Sequence, residues 1–158
     1  MSFAIVLAIL LGLILVLIRA RQPSSAPVAP SGDSSTGTIQ RYFDKISEME
    51  DAGFEDFFVS AKAVGGDHIV QVAVSRDPFG SPVYELDMPI ADWSLDFVER
   101  IENEAEARGH EPARTDGGPM EFLDVAIRQR QAHDVFTAWV VEEVYGLDAA
   151  TQYEITSG

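Results

Sequence analysis

The apolar positions of this chain change their spacing several times, and each change predicts an element. From Phe3 to Ile18 there is no spacing at all: 16 residues follow one another without a charge or a hydroxyl, interrupted only by Gly12. As a helix such a run is about 24 Å long, a little short of a ~30 Å hydrocarbon core. Met1, Ala20 and the aliphatic stem of Arg19 extend it. No polar face is left for water, so residues 1–21 are expected to form a transmembrane anchor. Phe3, Leu11 and Ile18 lie in its apolar span, and Arg19 and Arg21 form its basic flank. A cleaved signal peptide would carry positive charge before the run and a small-residue cleavage site after it; "MSF" and "RARQPSSAPVA" offer neither. The positive-inside rule then expects a single-pass protein of the inner membrane with its domain in the cytoplasm.

Residues 22–37 are mostly Pro, Ser, Gly and Ala and read as a linker with a reach of about 20–24 Å. Regular spacing begins after it, and residues 38–158 are expected to fold as one domain. Ile39, Phe43, Ile46 and Met49 recur at three and four, with Thr38 before them and Gly53 after, which predicts a helix. "FFVSAKA" (57–63) alternates, Gly65-Gly66 turns, and "HIVQVAV" (68–74) runs back. "DPFG" (77–80) fits a type I turn, after which Tyr84, Leu86 and Met88 alternate with acids.

Trp93, Phe97, Ile101 and Ala105 mark a second helix over 93–108. "HEPART" predicts an edge strand, because Pro112 would break a central ladder. "MEFLDVAI" (120–127) predicts another strand, 132–145 a third helix and "QYEIT" (152–156) a last strand. The order α-βββ-α-ββ-α-β predicts an α+β domain: an antiparallel sheet of five to six strands with helices on one face. Over residues 38–145 this order is similar to that of bacterial secretion chaperones and their relatives, in topology and without a shared motif. Such a likeness carries no function.

Composition narrows the chemistry. The 158 residues include no cysteine, which excludes disulfides, thiolate metal sites and cysteine nucleophiles. After residue 38, nine basic residues face 25 acidic ones. That surface repels phosphate backbones and anionic lipid, so no nucleic-acid partner is expected and cationic partners are favoured. None of the three histidines has another at i+2, i+3 or i+4, and the loosest metal candidate is His110 with Glu111 and Asp116. "SEMEDAGFED" (47–56) lacks the ligand spacing of a calcium loop. No G-x-S-x-G elbow and no phosphate loop occurs, so no cofactor is expected.

With one sheet face uncovered, Phe58, Ile69 and Phe122 would form an apolar partner-binding patch. Trp93 and Trp139 sit on helix stripes and are expected in the core. The leading expectation is a membrane-anchored, non-catalytic module that binds a protein with a basic or apolar surface. One alternative is an envelope-facing domain that binds a cation or small ligand. The other is a small hydrolase with a carboxylate acid–base pair, which among so many acids cannot be singled out by sequence.

Overall fold

A computed structural model describes residues 33–116 and 120–158. The expected anchor, with Phe3, Leu11, Ile18, Arg19 and Arg21, and linker residues 22–32 lie outside the described residues. Among the described residues no helix is long and apolar enough to cross a membrane. The domain is α+β, with a seven-stranded antiparallel sheet and three helices. The strands are β1 (Asp33–Gly37), β2 (Phe57–Ala63), β3 (Ile69–Arg76), β4 (Pro82–Ile90), β5 (Glu111–Asp116), β6 (Glu121–Ile127) and β7 (Tyr153–Ser157). The helices are α1 (Ile39–Asp51), α2 (Leu95–Ala107) and α3 (Arg130–Trp139), the last running on into a π-helical turn over Val140–Val144.

Across the sheet the order is β1-β7-β2-β3-β4-β6-β5. This corrects the expected five or six strands to seven: residues 33–37, expected as the end of the linker, form β1. "DSSTG" has no apolar alternation, yet its backbone pairs with β7 from Asp33 opposite Ser157 to Gly37 opposite Tyr153. Gly37 is needed there because α1 crosses it: a Cβ at this position would stand 2.7 Å from Arg41 Cβ. β5 with Pro112 does form the opposite edge.

Alternation along the strands decides which face is covered. Val59, Ala61, Val70, Val72, Leu86, Leu123, Val125 and Ile155 are at most 1 % exposed. They lie under α1 on the β1–β7–β2 side and under α2 and α3 on the β4–β6–β5 side. Their neighbours in sequence point the other way. On that second face the cross-strand row Phe58, Ala73, Glu85, Ala126, Glu111 is exposed or half-buried, and none of the three helices covers it. At the tip of the β3–β4 hairpin, Asp77 Oδ1 accepts the backbone N–H groups of Phe79 and Ser81, and Gly80 takes φ 84° as the turn demands.

The helical layer is tied down by Arg130. Its guanidinium donates to Glu50 Oε2 at 2.6 Å, to Asp134 Oδ1 at 2.8 Å and to the Phe43 carbonyl at 2.8 Å. Tyr84 on β4 donates to the other oxygen of Glu50. The acids gathered near the C-terminus of α1, unfavourable for the helix dipole, are thus engaged: Glu50 by this clamp and Glu48 by Arg41 and Lys45. Trp139 packs between α2 and α3, with the guanidinium groups of Arg100 and Arg108 over its ring at 5.5 and 5.2 Å.

Candidate functional site

The uncovered sheet face holds a groove of about 900 Å³, open to solvent. Its floor is the outward side of β3, β4 and β6, where Ile69, Gln71, Asp87, Pro89 and Phe122 line it. Its walls are Asp67 from the β2–β3 hairpin, the turn from Ile90 to Trp93, and Met120 with Glu121 at the start of β6. Period-two alternation places these side chains outward: Asp87 is flanked by buried Leu86 and Met88, and Phe122 precedes buried Leu123.

One wall is built by a single hydroxyl. Ser94 Oγ donates to the Pro89 carbonyl at 2.8 Å and accepts the Ala91 N–H at 2.9 Å, folding the turn that presents Trp93. The indole packs edge-on against His68 and Tyr145, with ring centroids 5.3 and 5.8 Å away. Trp93 is therefore partly buried and also lines the groove, rather than serving the core alone. Ser94 is 4 % exposed, so Ser94→Ala strands two backbone groups. The expected loss is about 1–2 kcal/mol in a urea titration; an unchanged midpoint would show that the turn holds without the hydroxyl.

Asp87, in the floor, stands on β4 directly opposite the buried Asp124 of β6. Asp87 also faces Gln71, whose Nε2 donates to Oδ2 at 3.3 Å. Burial, then the charge of Asp124, pushes the Asp87 carboxyl up to about 7, against the small downward pull of Gln71. Glu85, two residues back, is raised by the same two causes. Asp124 is 8 % exposed and accepts the Thr115 hydroxyl through Oδ2. Sequence reading missed this pair. The available signal was Asp124 itself, a carboxylate inside the apolar run "EFLDVAI".

The expected patch is divided. Ile69 and Phe122 meet in the groove. Phe58, 38 % exposed, lies on the same face but opposite Ala73, four residues along β3 from Ile69, which is about 13 Å. The metal candidates also separate. His110 stacks edge-on against Phe136 at 5.3 Å, and burial followed by the Arg108 charge lowers its pKa. Glu111 reaches Arg128 at 3.5 Å, whereas Asp116 is at the far end of β5. Among the described residues no three His, Asp or Glu side chains are grouped to hold a metal ion.

Compared with known protein families, curated proteins and solved structures, the chain matches none. None of these comparisons shows the expected likeness to secretion chaperones.

Proposed function

We propose that this chain is a membrane-anchored, non-catalytic protein-interaction module that receives its partner on the uncovered face of the sheet. The observation that carries the reading is that face: among the described residues no helix lies over it, and it contains an apolar groove. The 16-residue apolar run and its two arginines support the anchor at the inner membrane with a cytoplasmic domain. An anchor of this kind raises the effective concentration of the groove for a membrane-associated partner.

Asp87 beside Asp124 favours a second reading, carboxylate acid–base catalysis, because one acid is held near neutrality next to another. Such chemistry works best where water is excluded. The groove is open to solvent, and this favours binding over hydrolysis.

The interaction reading is tested with the full chain in its own membrane. Benzoylphenylalanine replacing Phe122 should give a discrete crosslinked species under ultraviolet light, and the same group replacing Glu106, exposed on α2, should not. Mass spectrometry of the N-terminus and protease protection of a C-terminal tag in spheroplasts check the anchor and its side. Equal crosslinking from both positions, or from neither, removes the sheet face as the interaction surface. Asp87-dependent turnover of a chromogenic ester or glycoside would replace binding with catalysis.

A further inference from the structure

We infer that the groove seats an extended segment of a partner protein carrying an arginine or lysine next to a bulky apolar side chain, the cation over Asp87 and the apolar group between Trp93 and Phe122. This rests on the interaction reading above and narrows its partner.

Two unlike surfaces meet in the groove. Ile69, Trp93 and Phe122 provide an apolar wall and floor. Asp67, Asp92 and Glu121 stand around them, and Lys62 is the one cation among the described lining residues. A purely apolar occupant would cover the Asp87 carboxyl, ionised or not, and leave it short of hydrogen-bond partners in a drier site, which is costly. A lone metal cation would use the carboxylates and leave the apolar wall in water. A second copy of this chain, with net charge −15, would bring charge of the same sign. A segment offering a cation and an apolar side chain satisfies both surfaces.

Register supplies the spacing. Asp87 pairs with Asp124 and Pro89 with Phe122, so Asp87 and Phe122 are diagonal neighbours across β4 and β6. Diagonal neighbours are about 7–8 Å apart. Side chains at i and i+2 of an extended segment are about 7 Å apart and point the same way. An Arg-x-Trp or Lys-x-Leu spacing therefore matches the two subsites.

The test uses the purified full chain in detergent at about 0.15 M salt, where long-range attraction is screened. The probe is a fluorescein-labelled octapeptide with arginine and tryptophan two residues apart among serine and glycine, read by fluorescence anisotropy. Three comparisons decide: citrulline in place of arginine, Asp87→Asn, and Glu106→Gln on the opposite layer, which removes the same charge. Expected are losses of about tenfold or more with citrulline and with Asp87→Asn, as for a charge-assisted hydrogen bond, and less than about twofold with Glu106→Gln. Asp87→Asn removes a half-buried charge and should stay folded, which thermal unfolding checks. Equal affinity for the arginine and citrulline peptides would overturn the inference, and so would equal losses from the two variants. Dimerisation that Asp87→Asn abolishes would assign the groove to a second copy and also overturn it. In either case a crosslink specific to Phe122 would leave the broader interaction reading standing.

Discussion

Replacing Arg130 with alanine should destabilise the domain by about 2–4 kcal/mol, the largest loss expected from a single charged residue here. Its side chain is only 21 % exposed, and its removal orphans partners on two elements, α1 and α3. Glu50 on α1 loses its counter-charge while still accepting the Tyr84 hydroxyl from β4. Asp134 on α3 keeps only its contact with His133, whose Nδ1 lies 3.0 Å from Oδ1. The Phe43 carbonyl loses its donor from the clamp. Burial pushes Asp134 up, but hydrogen bonds and charge from His133 and Arg130 outweigh it and hold the carboxyl below its ordinary range. Lysine at this position restores the charge without the fork and should recover less than half of the loss. The measurement is equilibrium urea unfolding of all three proteins. Equal midpoints for wild type and Arg130→Ala would mean that packing alone joins α1 to α3.

Asp87→Asn should act in the opposite direction, and its effect should depend on pH. A carboxyl raised from 3.8 to about 7 on folding binds more protons in the folded state. Its contribution to stability is therefore intact below about pH 4 and is lost as pH rises towards 7. Asparagine does not titrate, so the variant should match wild type near pH 4 and gain progressively to a plateau above pH 7. The whole shift would correspond to about 4 kcal/mol. Asp87 is only half-buried, and solvent screening reduces the expected gain to about 1–2 kcal/mol. Other groups tilt wild type the other way. Burial lowers the pKa of His133, so stability falls as pH drops through about 6.5. Asp33, held down by its hydrogen bond to Lys45, and Glu48, held down by its bond to Arg41, withdraw theirs below about pH 4. Wild type should thus be most stable in mildly acidic solution, and the variant's optimum should move to higher pH. A variant no more stable than wild type at pH 8 would show that Asp87 is already relieved by solvent. A residue that costs stability where it is charged and lines a groove fits a binding role.

The parts of the fold written in local spacing were legible. The alternation in "FFVSAKA" gives β2 over Phe57–Ala63, and Pro112 places β5 at an edge. The third helix was expected to continue to residue 145, but its α-geometry ends at Trp139 and a π-helical turn follows, a change that apolar spacing does not encode. β1 was hidden because its residues are polar and its existence depends on backbone pairing with a strand far along the chain, as Asp33 pairs with Ser157, 124 positions away. The candidate site was half visible for the same reason. Alternation alone turns Ile69, Asp87 and Phe122 outward. Which outward residues meet is decided by register between strands, so the sequence could not separate Phe58 from the other two or join Asp87 to Asp124.

The position of β7 constrains how the chain can be made. β7 lies between β1 and β2, so the free edge of β2 is closed by residues 153–157, almost a hundred positions later; Ser60 meets Thr156 there through their hydroxyls. At 5–20 residues per second, synthesis of the intervening chain takes roughly 5–20 s. For that time "FFVSAKA" presents an unpaired, partly aromatic edge, the kind of template on which nascent chains stick to one another. Premature termination after Phe122 and before residue 153 would make that exposure permanent. Fragments lacking β7 should then accumulate as aggregates or be degraded, even though every residue of the groove would already have been synthesised.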